Sequence, residues 1–166
     1  MNGNPQFRLA AESDADTLLE FMRAYYAFDG HGFDQARARV ALTALLRDAN
    51  LGRAWLIFDS DTPDGDAAVG YVVLCFGYSL EWLGRDAFVD EFFLLPEYRG
   101  HGWGRRTMEF VEDAARAAGV RTLHLEAMRE NDAAQKIYGK MGFHARPSTL
   151  MSKWIARDFA KPPGRH

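Results

Sequence analysis

Cysteine is nearly missing from this chain. Cys75 is the only one in 166 residues, so no internal disulfide can form. That suits a reducing compartment. Cys75 also lies inside an apolar run, Tyr71 to Phe76, where core packing is the expected role rather than nucleophilic attack. Long hydrophobic runs are missing too. None approaches the roughly 18 residues of a membrane span, and the opening Met-Asn-Gly-Asn-Pro-Gln has neither the charged nor the apolar region of a secretory leader. The expected location is the cytoplasm, with no membrane contact. Basic charge is not in excess: 20 Lys and Arg face 23 Asp and Glu, a formal net charge of −3. With no basic cluster, bulk electrostatics gives nucleic acid no foothold. The histidines, His31, His101, His124, His144 and His166, show no metal-ligand spacing, and no Ser-His-Asp or Cys-His set can be assembled, so no metal is expected.

What remains is an ordinary globular composition, 48% apolar and 26% charged. The length suits one domain over residues 1–166 with a sizeable core. Gln6 to Ala10 reads as a first strand. Ser13 is placed to cap a helix whose apolar face is Leu18, Phe21, Met22 and Tyr25. A second helix runs from about Asp34 to Asp48 around Leu42, Leu45 and Leu46. Strands at Arg53–Phe58, Ala67–Phe76 and Phe88–Leu95, joined by turn-rich connections, predict an antiparallel meander. A helix ending at Gly119, a strand at Thr122–Ala127 and a last helix capped by Asn131 add a parallel crossover. Leu150–Ile155 reads as a final strand, and the end of the chain, 157–166, as a loose tail.

The most informative stretch runs from Ala87 to Ala118. A mostly apolar strand ends at Pro96. Arg99-Gly100-His101-Gly102-Trp103-Gly104 follows, and then Trp103, Thr107, Phe110, Val111, Ala114, Ala115 and Ala118 recur at helical spacing. Strand, glycine turn and helix start together make an anion site. The first helical N–H groups lack intrahelical partners, the helix dipole adds positive potential, and glycine removes the Cβ that would keep a phosphate away. Arg99 adds a charge-assisted contact. No lysine completes a Walker A loop, and the dinucleotide fingerprint fails where Arg105 takes the third glycine's place.

The spacing Arg-x-x-Gly-x-Gly, from Arg99, Gly102 and Gly104, resembles the acyl-CoA-binding motif of the Gcn5-related N-acetyltransferase (GNAT) superfamily. Asn131 to Phe143, with Tyr138 and Gly142, looks like the second motif of that family. Phe7 to Asp16 is similar to its opening strand and helix, and Val69-Gly70-Tyr71 to its third strand. The resemblance covers residues 6–156. It implies a mixed α/β fold, with six to seven strands, about four helices on both faces and two central strands splayed apart. It implies acetyl-CoA as donor. Backbone groups near Phe92, Leu94 and Leu95 would hold the pantetheine arm, and Arg99, Gly100, Gly102, Trp103, Gly104 and Arg105 the pyrophosphate. Asn131 either touches the cofactor or simply caps its helix.

Acetyl transfer to an amine needs a base, because an alkyl ammonium has a pKa of about 10.4. Asp90 and Glu91 are candidates, two acids in a strand that is otherwise apolar. A regular strand aims them at opposite faces, and a bulge changes that. Tyr138 resembles the family's general acid. Within the family, Trp82 and the acid pair followed by Phe92 and Phe93 look like the spermidine/spermine (diamine) acetyltransferase branch. That likeness puts Trp82, Tyr25 and Glu91 at the acceptor and implies a homodimer. A small primary amine is therefore the expected acceptor. A peptide acceptor and a non-catalytic acyl-CoA-binding module are the alternatives.

Overall fold

The computed structural model describes residues 3–30, 32–61, 67–128, 131–153 and 155. Five strands form one sheet in the order β1-β2-β3-β4-β5: β1 Pro5–Leu9, β2 Gly52–Asp59, β3 Ala68–Ser79, β4 Gly84–Leu94 and β5 Thr122–His124. The first four pair antiparallel, and β5 joins β4 in parallel. The helices are α1 Ala15–Phe28, α2 Gln35–Arg47, α3 Trp103–Ala117 and α4 Asp132–Lys140.

Strand alternation sorts the core into two layers. On one face Ala54, Leu56, Tyr71, Val73 and Phe93 meet Leu18, Leu19 and Phe21 of α1 and Leu42 of α2. On the other, Trp55, Val72, Leu74, Ala87 and Val89 meet Met108, Val111 and Ala115 of α3, with Tyr138 and Met141 of α4 at the margin. Helices on both faces of a mixed sheet are as expected. Predicted α4 contacts shift slightly, since Ile137 points largely to solvent.

Helix ends follow local chemistry. Asp34 caps α2 by accepting from the Arg37 N–H at 3.1 Å. α3 closes on Gly119 at φ +75°: the Val120 N–H donates to the Ala115 carbonyl and the Gly119 N–H to that of Arg116, both 3.0 Å. At α1 the expected cap, Ser13, falls inside a short turn, and the helix starts without a side-chain cap. Residues Glu12–Asp14 form one 3-10 turn, and Asp14 is the N-cap position of the helix. Its carboxylate accepts from the Ala11 N–H at 2.8 Å and pairs with Arg8 at 2.9 Å, which ties the helix start to β1. The extra 3-10 turn carries the helix boundary one residue beyond Ser13.

Two predicted strand extents are corrected. β5 stops at His124 instead of Ala127, and no strand forms among the described residues of Leu150–Ile155. Leu150, Met151 and Ile155 are all strongly exposed. The strand count among described residues is thus five rather than six to seven. The physical reason is shared: β5 is only three residues long, so it offers a further strand few backbone groups to pair with. The predicted tail, 157–166, and part of the β2–β3 connection, 62–66, lie outside the described residues.

Two outcomes test this packing. A Cβ on Gly70 would sit 2.3 Å from the Phe93 carbonyl oxygen, so Gly70→Ala is expected to cost about 1–3 kcal/mol, read from urea unfolding. Arg8 donates to Asp14 and holds its carboxyl below the usual aspartate value, while slight burial opposes this. A depressed folded value contributes stability above the unfolded pKa of about 3.9 and loses it as pH falls through the folded one. Asp14→Asn should therefore flatten the acid limb of a stability–pH profile and leave its shape near neutrality unchanged.

Candidate active site

The register of β3 against β4 slips at one place. Val73 faces Glu91 and Leu74 faces Val89, so Asp90 is the extra residue of a bulge. A regular pleat would send the two acids to opposite faces. Here both serve the α1–α2 face. Glu91 is buried, 8% exposed, and accepts a hydrogen bond from the Tyr71 hydroxyl at 2.7 Å. The Tyr26 hydroxyl of α1 also bonds to Glu91. Asp90 is exposed and bonds to the thiol of Cys75, whose side chain packs with the same face.

The electrostatics follow from this placement. Burial, then the charge of Glu91, push the hydroxyls of Tyr71 and Tyr26 well above the ordinary tyrosine range, so both stay protonated as donors. Burial and then Asp90 push the Cys75 thiol up to about 12. It is a donor, not a nucleophile, in keeping with the packing role expected for it.

β5 pairs with β4 only from Asp86 to Phe88. From Val89 to Leu94 the strand keeps β3 on one side and opens on the other, the splay that the sequence resemblance implies. The Leu95 N–H donates to the Val69 carbonyl at 2.9 Å, so it points toward β3. Backbone direction alternates. The backbone groups of Phe92 and Leu94 therefore face the opening, and Leu95 is spent on the sheet. The Leu94 carbonyl there accepts from Arg99 Nε at 2.8 Å.

At the end of this opening sits the glycine turn. Gly100 and Gly102 adopt φ of +78° and +82°, where side chains are strained. The ladder of α3 begins with the Arg106 N–H donating to Gly102. The N–H groups of Trp103, Gly104 and Arg105 precede it, at the end of the helix whose dipole favours an anion. The Trp103 side chain, 1% exposed, packs edge-on to Tyr98 in the core, so only its amide is available. Arg105 pairs with Glu109 at 2.8 Å. The Arg99 guanidinium stacks on Phe28 and Phe93, 4.6 and 5.0 Å from the ring centroids. It braces the turn against α1 as well as offering charge.

Tyr138 belongs to the opposite layer, beside α3. Burial raises its hydroxyl pKa. The spacing Tyr-x-x-x-Gly-Phe has a structural cause: Gly142 closes α4 at φ +91°, the Phe143 N–H donates to the Tyr138 carbonyl at 3.0 Å, and the two rings meet edge-on at 5.8 Å. Asn131 Oδ1 caps α4 by accepting from the Ala134 N–H at 3.0 Å. Tyr25 packs against Tyr26 and Phe93. Trp82 sits in the β3–β4 turn, 5.6 Å from His124, with Arg146 over its ring. Sequence reasoning missed Tyr71 as a donor to Glu91, and it missed Arg146. A tyrosine in an otherwise apolar central strand was the available signal for Tyr71.

Comparison with known proteins bears on the family and the fold. The family model described as acetyltransferase (GNAT) family matches residues 15–143. The thialysine N-epsilon-acetyltransferase of Mus musculus is 30% identical over 158 residues, 93% of this chain and 91% of that protein. The enzyme of the same name from Bos taurus is 34% identical over 80 residues; that match spans 48% of this chain and about half of the relative's length, 46%. An integron cassette protein from the mobile metagenome of Cole Harbour Salt Marsh superposes with a TM-score of 0.77 at 33% identity, covering 91% of each chain. A protein from Clostridium acetobutylicum described as a predicted acetyltransferase, solved with acetyl-CoA, shares the fold at 15% identity, TM-score 0.73, covering 90% of this chain and 96% of that one.

Gly102→Ala tests the turn directly. Forcing a side chain into the left-handed region costs about 1–2 kcal/mol, and the resulting shift of the α3 start should weaken coenzyme A binding about tenfold, measured by calorimetry against unchanged helical content.

Proposed function

The chain belongs to the acetyltransferase (GNAT) family, and from that premise we propose that it transfers the acetyl group of acetyl-CoA to a primary amine of a small molecule, by direct attack in a ternary complex. The observation that carries this reading is the bulge at Asp90. It sets two carboxylates on one face, beside the strand opening.

The roles then divide by environment. The Trp103, Gly104 and Arg105 amides hold the diphosphate. Phe92 and Leu94 offer backbone groups to the pantetheine arm. Asp90, exposed and steadied by the Cys75 thiol, takes the proton of the incoming ammonium. Glu91, held by Tyr71 and Tyr26, keeps negative charge fixed beneath the amine. Tyr138 approaches from the other layer, and its raised pKa keeps the proton that a departing thiolate needs. The acidic and aromatic face supports a diamine or a similar amine, and so does the likeness to relatives named for acetylating an ε-nitrogen.

A turnover screen with thiol detection, over polyamines, amino acids, aminoglycosides and peptides, tests the reading. Amine-dependent thiol release is expected. Asp90→Asn should lower kcat about a hundredfold or more and Tyr138→Phe about tenfold to a hundredfold, both with coenzyme A affinity retained. Tight coenzyme A binding with every amine inert would leave a binding module and end the catalytic reading.

A further inference from the structure

The end of β2 carries a buried acid, and buried groups connect it to the glycine turn. Asp59 is 6% exposed. Burying a carboxylate is unfavourable unless donors satisfy it. One bond is local: Asp59 Oδ1 accepts from the Asp61 N–H at 3.0 Å and closes the turn after the strand. The other is not. The Tyr98 hydroxyl, from far along the chain, also bonds to the Asp59 carboxylate. Tyr98 ends the 3-10 turn Pro96–Tyr98 and stands directly before Arg99. Its buried ring meets that of Trp103, the first residue of α3, with centroids 4.9 Å apart. Both rings share one core cluster with Ile57 of β2. The residues on either side of the glycine turn therefore touch, and one of them is pinned to β2. A second tie leads to the same platform. Arg106 Nη1 donates to Asn4 Oδ1. Asn4 is held to the end of β2 by two bonds, its N–H to Ser60 Oγ at 3.1 Å and the Ser60 N–H to its carbonyl at 3.2 Å.

We propose that Asp59 is a positioning residue for the coenzyme: through Tyr98 and Trp103 it sets the direction in which the amides of Trp103, Gly104 and Arg105 meet the diphosphate. The inference rests on reading the α3 start as the diphosphate site, and adds to it the residue on another strand that aims those amides. Aim matters because a hydrogen bond weakens steeply away from its preferred line. Three amides on one helix start are turned together. The glycines make an outside support necessary. A Cβ at Gly100 or Gly102 would meet nothing within 4 Å, so the turn has no packing of its own there, and glycine leaves the backbone freer than any other residue. Asp59 acts only through its neighbours: it is buried, and as an anion it would repel a diphosphate.

The test is calorimetric titration of coenzyme A into the full chain as wild type, Asp59→Ala, Asp59→Asn, Tyr98→Phe and the double variant Asp59→Ala with Tyr98→Phe. Asp59→Ala and Tyr98→Phe should each weaken coenzyme A about three- to tenfold. The double variant should bind no more weakly than the weaker single, because both remove the same bond. Asp59→Asn keeps an acceptor for the hydroxyl and should stay within about twofold of wild type. If Asp59→Ala fails to fold, Tyr98→Phe, which loses only a hydroxyl, carries the comparison with wild type. Hydrogen exchange separates aim from general loosening: in the free variants the amides of 99–106 should exchange faster, and those of α1 and of the β3–β4 pair should not change. The inference is overturned if Tyr98→Phe binds coenzyme A as wild type does, if the two effects add, if Asp59→Asn is as weak as Asp59→Ala, or if exchange rises evenly along the chain. Unmoved variants of a wild type that binds coenzyme A remove this inference alone. A wild type that binds none removes the diphosphate reading and this inference with it.

Discussion

Asp90 stands outside the register that joins β3 to β4, and much of the site follows from that one extra residue. A bulge bends its strand and raises the local twist. Here it turns Asp90 and Glu91 onto a common face, and the pairing of β4 with β5 ends just before it, at Phe88. The same irregularity therefore coincides with the acid pair, the opening beside β4 and the exposure of the Phe92 and Leu94 backbone. Two carboxylates so close would repel each other if both were unsupported. Each has its own donors: hydroxyls from Tyr71 and Tyr26 for Glu91, a thiol from Cys75 for Asp90. Separate donor sets let neighbouring acids keep different environments, one buried and one wet.

The opposite end of the opening uses backbone instead of side chains. Gly100 and Gly102 take left-handed angles that let the chain reverse after the strand and enter α3 with three amides leading. Trp103 anchors that entry by burying its ring, so the amides are fixed to the core and do not fray. Arg99 links the turn to both neighbours, bonding the Leu94 carbonyl and lying across Phe28 and Phe93. A guanidinium used this way contributes geometry as much as charge.

Much of this was legible in the sequence. The glycine spacing after an apolar strand located the turn, and helical periodicity from Trp103 located α3. Gly119 and Gly142 marked helix ends because only glycine sits easily in the closing position. Acids inside an apolar strand announced themselves by their cost. What the sequence withheld depends on partners far along the chain. Whether Asp90 and Glu91 share a face is decided by the register of β3, and the donors to Glu91 come from Tyr71 and from Tyr26 on α1. The start of α1 lies at Asp14 rather than Ser13, and the Asp14 carboxylate is spent on Arg8 and the Ala11 amide instead of on the helix. The strand-like pattern of Leu150–Ile155 forms no strand among the described residues, since the edge strand β5, three residues long, offers it little to pair with.

The order of strands has a bearing on how the chain reaches its native state. Neighbours in the sheet follow chain order, and β2, β3 and β4 are consecutive hairpin partners. Short closures lose little entropy, so this meander can zip early. On a ribosome the acid-bearing strand would emerge and dock before the glycine turn had left the exit tunnel. The acid-bearing face is then laid down as a template, and the glycine turn is added to a surface whose register is already set.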